Sequence, residues 1–373
     1  MSDQPEPLRV GIVGANPTRS WAKDSHVPAL QKLAGLKLTA VATRNKESAR
    51  AAAEAFGVPS WYDDALELVR SDSVDIVSVC VKVPEHRDIV LAALAAGKHV
   101  LCEWPLGRNV QEAEDLAAAA ERAGVHVAIG LQGRASPAAR RAGQLVADGA
   151  IGRPLSARIV STTAGYAPQL PSAYAYLNDP RNGANLTSIL GGHTLDLAMS
   201  VLGGISEIDA LAAIQFAQVR LTDTDEWIER STPDHLLMLS RHHNGCVASI
   251  EVGGNRPPDT RFTFEITGTE GRLALVGGHP HGFQAGELRL EPDRDALPLD
   301  KPVADALTRE AANVAEVYAQ LRNDIRVSTW TVPNFRHAAQ LTRLIEAVTL
   351  AGSTGARQHE CAWQRPALHP TTL

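Results

Sequence analysis

Between Leu8 and Leu131 the chain alternates short apolar runs with longer amphipathic runs. Short apolar runs suit buried parallel strands, and amphipathic runs suit the helices that cover them, so this alternation predicts βαβ units. The predicted strands are residues 9–13, 37–42, 74–81, 99–102 and 126–130, and the predicted helices are residues 28–33, 46–56, 65–69, 85–96 and 110–123. The first part of the chain is therefore expected to be a doubly wound α/β domain.

Three glycines, Gly57, Gly97 and Gly124, stand just after predicted helices. A helix commonly closes on a residue in the left-handed conformation, which glycine adopts without steric cost. These glycines therefore support the predicted helix ends.

The pattern changes after Gly133. One helix is predicted at residues 137–148, and longer alternating strands follow it at residues 155–163, 205–214, 236–241, 247–252, 261–267 and 272–276. Two late helices, predicted at residues 304–321 and 333–350, would pack back on either domain. His242 to Gly245 reads as a hairpin turn in which Asn244 and Gly245 supply positive φ angles. We therefore expect a Rossmann domain at residues 1–133 and an α+β domain with an open, mostly antiparallel sheet at residues 134–373.

The composition excludes several classes of protein. A net charge of −6 and a pI near 6.1 leave no broad basic surface for nucleic acid. The polar, acidic start gives no sign of a secretory signal, and no apolar run approaches the roughly 20 residues of a membrane helix. The four cysteines, which are far apart in the sequence, are Cys80, Cys102, Cys246 and Cys361. This spacing predicts reduced thiols and no structural zinc, and we therefore expect a cytoplasmic protein.

A nucleotide loop is predicted where the first strand ends. Gly14 follows the strand, at the place where a Rossmann loop brings glycine against a pyrophosphate, but Asn16 and Arg19 stand where the second and third glycines belong. Asparagine tolerates the left-handed conformation, so Asn16 is expected to preserve the turn. Arg19 would block close packing of helix on strand, which predicts a longer loop before the helix begins.

The end of the second strand points to the choice of cofactor. Thr43 and Arg44 occupy the position where an acidic residue would bind the ribose 2′-hydroxyl of NAD. A hydroxyl and a guanidinium suit a 2′-phosphate instead, so NADP is favoured and NAD remains possible. The alternative for Arg44 is an arginine that is simply solvated at the surface.

Two stretches, residues 75–84 and 97–106, resemble the glucose-fructose oxidoreductase, inositol dehydrogenase and MocA (Gfo/Idh/MocA) family. The resemblance implies a nicotinamide-dependent oxidoreductase that acts on a sugar, a polyol or a related hydroxyl compound. The family commonly has Glu-Lys-Pro where this chain has Glu103-Trp104-Pro105, and its lysine serves substrate binding and proton transfer. An indole cannot donate a proton as an ammonium does, so Trp104 either stacks on a nicotinamide or sugar ring or is a core tryptophan.

A third stretch, residues 189–197, resembles the family's Asp-x-Gly-x-His segment. The alignment places Ile189 where the family has aspartate and retains His193, which the resemblance implies faces the substrate. The alternative is a histidine that only hydrogen-bonds the backbone. Asp196, one turn later, is expected to fix the helix or to orient His193.

Lys82 follows the strand at residues 74–81, at the edge where open α/β sheets bind ligands. The family often has a small polar residue there, so Lys82 is a candidate to replace the missing lysine as proton donor. A lysine that snorkels to solvent or binds a cofactor phosphate or ribose is the alternative. The cofactor residues implied by the loop and the resemblance are Gly14, Asn16, Trp21, Thr43, Arg44, Val81, Lys82, His86, Glu103 and Trp104.

A further resemblance is to a subgroup of the family that includes the yeast galactose-regulon repressor, which binds a dinucleotide and holds a transcriptional activator. The residues that carry it are 16, 20–22, 26–29, 81–83 and 103–105. Two hypotheses follow: an NADP-preferring oxidoreductase that uses Lys82 or His193, or a non-catalytic dinucleotide-binding regulator. We favour the enzyme. We expect the loop at residues 166–185 to determine which substrate binds. Residues 221–232 are expected to form either a lid or a subunit contact. The protein is expected to be a homo-oligomer, either a dimer or a tetramer.

Overall fold

The computed structural model describes residues 5–257, 261–291, 303–304, 306–307 and 309–359. The chain forms two compact units. The first comprises residues 1–107, 111–132 and 302–339, and the second comprises residues 108–110, 133–301 and 340–373. The chain changes unit between Gln132 and Gly133, next to the predicted domain boundary, and the division into domains 1–133 and 134–373 stays a prediction.

The first unit contains a six-stranded sheet in which every pair of neighbours is parallel. Its strands are β1 (Leu8–Val13), β2 (Leu36–Ala42), β3 (Ser60–Tyr62), β4 (Ile76–Val79), β5 (His99–Glu103) and β6 (Val127–Gly130). The strand order β3-β2-β1-β4-β5-β6 reverses direction between β1 and β4. In such sheets, ligands bind at the carboxyl ends of the strands beside this reversal.

Five helices connect these strands: α1 (Val27–Lys32), α2 (Lys46–Phe56), α3 (Ala65–Arg70), α4 (His86–Ala95) and α5 (Val110–Ala123). The doubly wound prediction is confirmed, and α2 and α5 have the predicted bounds. Gly57, Gly97 and Gly124 have φ angles of 67°, 70° and 64°, as their positions after helices required. Strand β3 was not predicted, because its three residues are not buried and form no apolar run.

The second unit opens with α6 (Pro137–Ala147) and is otherwise mostly strand. The remaining elements between residues 154 and 291 are β7 (Pro154–Thr162), β8 (Gln169–Leu170), α7 (Gly192–Leu202), β9 (Ile205–Ala213), β10 (Gln218–Leu221), β11 (Trp227–Glu229), β12 (His235–His242), β13 (Val247–Gly253), β14 (Phe262–Gly268), β15 (Arg272–Gly277) and β16 (Leu288–Glu291). Near the end of the described chain come α8 (Arg309–Val327), α9 (Phe335–Thr354) and β17 (Gln358–His359). Helix α8 belongs to the first unit.

The main sheet of the second unit has eight strands in the order β16-β15-β14-β7-β13-β12-β9-β17. Its neighbours are antiparallel except β7 and β13, so the prediction of a mostly antiparallel sheet is confirmed. A second sheet of three strands, β11-β10-β8, takes in part of residues 221–232. These short strands carry no period long enough to be read in the sequence.

The turn between β12 and β13 corrects one expectation. Gly245 has a φ of 87°, but Asn244 does not have a positive φ. Asn244 instead uses its side chain, because Oδ1 accepts from Cys246 N (3.0 Å) and Nδ2 donates to Leu202 O (2.9 Å). The two side-chain bonds hold the turn without requiring the left-handed conformation at Asn244.

Within the described ranges, no helix combines the length and the apolar character that crossing a membrane requires. The same residues contain no group of three or more His, Cys, Asp or Glu side chains that could hold a metal ion. Cys80, Cys102 and Cys246 are free thiols. Cys361 lies outside the described residues.

Candidate cofactor and active site

Gly14 is packed against the end of the neighbouring strand. Its φ is 99°, its N–H donates to Ala42 O at 2.9 Å, and a Cβ built on it would lie 2.4 Å from Cys80 O. A side chain here would meet backbone and would also require an unfavourable φ. Only glycine fits, and the loop after β1 therefore lies directly on the chain that leaves β4.

Asn16 stabilises the same loop by a different means from the one expected. Its backbone is not left-handed. Its Oδ1 instead accepts from Thr18 N (2.9 Å), Thr18 Oγ1 (2.7 Å) and Arg19 N (3.2 Å). An Asx-type turn thus replaces the missing glycine, and the prediction of a longer loop is confirmed, because a π-helical turn at Ala22–His26 begins only after Trp21.

Trp21 carries a buried donor at the end of this loop. Its Nε1 atom is inaccessible to solvent and has no hydrogen-bond partner among the described residues. A buried N–H without an acceptor is costly, so such a group commonly marks a place where a ligand or an ordered water supplies the acceptor.

The carboxyl end of β2 leads into the capped start of α2. Asn45 Oδ1 accepts from Ser48 N (2.9 Å), and the Thr43 hydroxyl contacts Ser48 Oγ. Arg44 is exposed and forms no ion pair with the residues that the structure describes. Arg44 directly precedes the N-cap of α2, and both a guanidinium and a helix N-terminus favour an anion.

Lys82 follows β4 and is half-buried. Its backbone carbonyl accepts from Glu85 N (2.8 Å), which starts a short 3₁₀ turn at Val83–Glu85. The turn directs the chain into α4 directly after the sheet edge. Val81, just before Lys82, is also half-buried, and its Cγ1 would lie 2.9 Å from a Cβ at Gly14.

His86 is buried between two backbone segments. Its Nε2 lies 3.0 Å from Val81 O, its Nδ1 lies 3.0 Å from Pro105 O, and Cys102 Sγ lies 3.4 Å from the same Nδ1. Burial lowers the pKa of this imidazole. These contacts join the chain after β4 to the chain after β5, and a contact of His86 with the cofactor stays a prediction.

Glu103 and Trp104 lie at the carboxyl end of β5. Trp104 is buried, with 6% of its surface exposed, and its bond to Pro105 is cis. Stacking of this indole on a nicotinamide or a sugar stays a prediction. The side chain of Glu103 is 16% exposed.

A continuous series of buried polar contacts begins at Glu103, and sequence reasoning missed it. Glu103 Oε1 lies 2.9 Å from His26 Nε2, His26 Nδ1 lies 2.8 Å from the Tyr318 hydroxyl, and that hydroxyl lies 2.7 Å from Ser78 Oγ. Burial raises the pKa of Tyr318 well above its ordinary value. Tyr318 is on α8, 292 residues after His26, so no sequence pattern relates the two.

His193 is the second residue of α7 in the second unit, and it is buried. Asp196, one turn later, accepts at Oδ1 from Arg134 Nη1 (2.9 Å) and is also buried. Asp196 therefore anchors Arg134 to the helix. Ile189, at the position of the family's aspartate, has no group that can exchange a proton, and a catalytic role for His193 stays a prediction.

The buried guanidinium of Arg230 contacts the loop at residues 166–185, which was expected to determine substrate choice. Arg230 Nε donates to Phe216 O (3.1 Å) and Nη2 donates to Ala167 O (2.8 Å), while Nη1 has no partner within the described part of the chain. Burial lowers the pKa of Arg230. Tyr166 in the same loop has a φ of 60°, and burial raises the pKa of Tyr176 to about 12.

Comparison with known proteins matches both halves of the chain. The family described as "Oxidoreductase family, NAD-binding Rossmann fold" matches residues 8–131, and the family "Gal80p, C-terminal domain" matches residues 137–277. Dehydrogenase aclE of Aspergillus oryzae is 31% identical over 72% of this chain and 77% of its own length. Several sugar dehydrogenases are among the other relatives.

Regulatory proteins are equally similar. The galactose/lactose metabolism regulatory protein GAL80 of Kluyveromyces lactis is 30% identical over 73% of this chain and 64% of its own length. The structure of a super-repressor mutant of Gal80p from Saccharomyces cerevisiae has the same fold, with a TM-score of 0.83 at 23% identity over 96% of this chain and 99% of that one. The chain belongs to the Gfo/Idh/MocA family of NAD-binding oxidoreductases, as its sequence had indicated.

Proposed function

We propose that this protein is an NAD(P)-dependent oxidoreductase that transfers a hydride between nicotinamide and a sugar, a polyol or a related hydroxyl compound. The observation that carries the proposal is the contact of Gly14 with Cys80 O, at the reversal of strand order between β1 and β4. Close packing of a glycine at this position is typical of the Rossmann loop that brings the backbone against a pyrophosphate beside the sheet edge. The sugar dehydrogenases among the relatives support the substrate class.

The residues present fit a dinucleotide along this edge. Gly14, Asn16 and Trp21 would hold the pyrophosphate, and the unpartnered Trp21 Nε1 supplies a buried donor for it. Thr43 and Arg44 would lie at the adenine ribose. Because the two halves of a dinucleotide occupy the two sides of the strand reversal, the nicotinamide would lie over the ends of β4 and β5, beside Val81, Lys82, Glu103 and Trp104.

NADP is the proposed cofactor, with NAD as the alternative. The exposed guanidinium of Arg44 and the neighbouring start of α2 both favour a 2′-phosphate. Residues 43–46 contain no carboxylate that would bind a free 2′-hydroxyl in the manner typical of NAD-specific sites.

Nicotinamide supplies the hydride chemistry, and the protein must hold the substrate and move one proton. Oxidation of a carbinol releases a hydride from carbon and a proton from the hydroxyl, and a positioned base accepts that proton. Trp104 has no group for this task. We assign it to Lys82, at the nicotinamide half of the edge, with His193 of the second unit as the alternative.

A second candidate function is a non-catalytic regulator that binds the same dinucleotide. Two observations favour it: Trp104 and Ile189 replace the lysine and aspartate of the family, and regulatory proteins are as similar to the chain as a dehydrogenase is. Such a protein would bind cofactor and a protein partner without turnover. The two functions differ in whether added sugar or polyol changes the nicotinamide.

We also propose that the protein forms homo-oligomers through the main sheet of the second unit. Leu211 pairs with Leu237 across β9 and β12, and Leu239 is on the same face; their exposed fractions are 65%, 45% and 58%. Contiguous exposed leucines on a sheet are typical of a protein interface. Sedimentation should show an oligomer that Leu239→Glu dissociates, and a monomeric parent protein would contradict the proposal.

Cocrystals with NADP and a panel of sugars and polyols test the proposed site. The expected result places the 2′-phosphate at Arg44, the pyrophosphate at Gly14 and the nicotinamide at Trp104. A cofactor bound in the opposite direction, or away from the β1–β4 reversal, would contradict the assignment of these residues.

A further inference from the structure

The contacts from Ser78 to Glu103 have one direction when Glu103 is ionised. A carboxylate can only accept, so His26 Nε2 carries the proton in the 2.9 Å contact with Glu103 Oε1. In the tautomer of His26 that carries its proton on Nε2 alone, Nδ1 accepts from the Tyr318 hydroxyl, and the oxygen of Tyr318 accepts from Ser78 Oγ. All three donors therefore point toward Glu103.

The members of this series are held by burial. His26 and Ser78 are fully buried, and so is Tyr318, whose raised pKa keeps the phenol protonated as a donor. Burial also raises the pKa of Cys80, and the charge of Glu103 raises it further, so this nearby thiol stays neutral. Neither Tyr318 nor Cys80 therefore competes with Glu103 for the negative charge. With the His26 proton on Nε2, each neighbour in the series is a dipole oriented to stabilise the carboxylate.

The chain also fixes where the carboxylate lies. A Cβ built on Gly130 would lie 2.6 Å from Glu103 Oε1 and 2.9 Å from its Cδ. The φ of Gly130 is not positive, so glycine is needed here for space rather than for backbone freedom. The carboxylate therefore lies between the Cα of Gly130 on β6 and the imidazole of His26. Oε2 makes no hydrogen bond within the described part of the chain, and the side chain is partly open to solvent.

We propose that Glu103 is a fixed negative charge at the nicotinamide half of the site, positioned by His26, Tyr318 and Ser78, and that it makes the protein bind oxidised nicotinamide dinucleotide more tightly than reduced. The inference rests on the proposed placement of nicotinamide over the ends of β4 and β5. It applies to the enzyme and to the regulator alike, because it concerns binding and not turnover.

The physical basis is one unit of charge. The oxidised nicotinamide ring is a cation and the reduced ring is neutral, whereas the adenosine and the phosphates are the same in both. Opposite unit charges roughly 8 to 16 Å apart at an effective dielectric constant of about 20 change a dissociation constant by roughly 5- to 30-fold. The change in this ratio between the parent protein and a variant without the Glu103 charge isolates the term, because every contribution common to the two proteins cancels, including that of Lys82.

The test is a titration of the full-length protein with NADP⁺ and with NADPH, monitored by calorimetry. Glu103→Gln keeps the shape of the side chain and an oxygen for His26 but removes the charge. We expect it to reduce the preference for NADP⁺ by roughly 5- to 30-fold, mainly by weakening NADP⁺. An unchanged ratio in folded Glu103→Gln overturns the proposal, whereas a parent protein that binds neither form refutes the proposed cofactor site as well.

Two further variants test the positioning residues while leaving Glu103 charged. Tyr318→Phe removes the donor to His26, and Gly130→Ala displaces Oε1; both should reduce the ratio by a smaller factor than Glu103→Gln. Tyr62→Phe is the matched control, because it removes a phenol bond to Ser71 Oγ (3.0 Å) at the far strand β3. Equal ratios in Tyr318→Phe, Gly130→Ala and Tyr62→Phe would show that Glu103 needs no positioning and would overturn that part of the proposal.

Discussion

At the pyrophosphate and adenine end of the proposed cofactor site, side-chain contacts join residues that are close in sequence. Asn16 binds Thr18 and Arg19, two and three residues away, and Asn45 binds Ser48, three residues away. At the nicotinamide end the separations are 77 residues for His26 and Glu103, and 240 for Ser78 and Tyr318. The side-chain hydrogen bonds at the first end are therefore local, although Gly14 also packs against Cys80 O. Those at the second end join residues from distant parts of the first unit.

This difference between the two ends of the cofactor site suggests how catalysis can be lost in the family while dinucleotide binding is kept. Substitution at Trp104 or Ile189 alters the chemistry without touching the short loops that would hold the phosphates. Dinucleotide binding can thus persist in a chain that has lost its usual catalytic residues. The comparison separates variants that should affect turnover from those that should affect binding.

The largest expected effect is on turnover and comes from the nicotinamide end. A general acid or base contributes roughly 10²- to 10⁴-fold, so Lys82→Met should lower kcat by about that factor and change the dissociation constant of NADP little. Trp104→Lys in the same chain should partly restore kcat. Stopped-flow and steady-state assays measure both.

Lys37→Met is the control for this substitution, since Lys37 is an exposed lysine near the start of β2, at the opposite edge of the sheet. If Lys82→Met keeps the kcat of the parent protein, the assignment of proton transfer to Lys82 is wrong, and His193 becomes the assigned residue.

The next largest effect should come from the loop after β1. Gly14→Ala places a methyl group against Cys80 O and forces alanine to a φ near 99°, so we expect NADP binding to weaken roughly 10- to 100-fold. Gly124→Ala is the control: Gly124 also has a positive φ, but no atom lies within 4 Å of its built Cβ. Equal affinities in the two variants would mean that the tight contact at Gly14 has no role in binding.

An effect of similar size is expected on cofactor choice. Charge-assisted bonds contribute about 1.5–3 kcal/mol, so Arg44→Asp should shift the ratio of NADP to NAD affinity by roughly 10- to 100-fold and reverse the preference. Arg50→Asp makes the same charge change at an exposed position further along α2. Calorimetry that finds NAD bound at least as tightly as NADP by the parent protein would contradict this assignment.

The smallest expected effect is on the free energy of unfolding, and it comes from a long-range contact that supports the fold and not the site. Asp75 accepts from Arg9 N (2.7 Å), Nε (3.0 Å) and Nη2 (2.6 Å), at the edge of the sheet opposite the site, and this hydrogen bonding lowers the pKa of Asp75. The stabilisation is therefore fully present above the unfolded-state pKa and is lost as pH falls through the lower folded-state value.

Asp75→Asn should cost roughly 0.5 to 1 kcal/mol of unfolding free energy at pH 7, because the pair is partly exposed, and almost nothing near pH 2. Urea unfolding at the two pH values measures the difference. A loss that is equal at both would show that the charge of Asp75 contributes nothing, and a change in cofactor affinity would show that the two edges are coupled.

The sequence predicted elements whose ends are set by residues with a clear local signal. Helix α2 has the predicted bounds because Asn45 and Gly57 provide caps at its two ends, and both caps are visible in the sequence. Asn16 was correctly predicted to stabilise the loop, but the predicted left-handed backbone was wrong. A single asparagine in the sequence does not reveal whether it adopts a left-handed conformation or forms an Asx turn. His26 and Tyr318 had no local signal, because only tertiary packing brings α8 beside β4 and the π-helical turn that contains His26.

The most direct test of the central claim is turnover by the purified full-length protein. NADP⁺ with each of a panel of sugars and polyols, and NADPH with the corresponding carbonyl compounds, should give substrate-dependent change in nicotinamide absorbance for at least one pair, which Lys82→Met lowers. Tight dinucleotide binding with no turnover of any member of the panel would contradict the account of an enzyme and would favour the regulator.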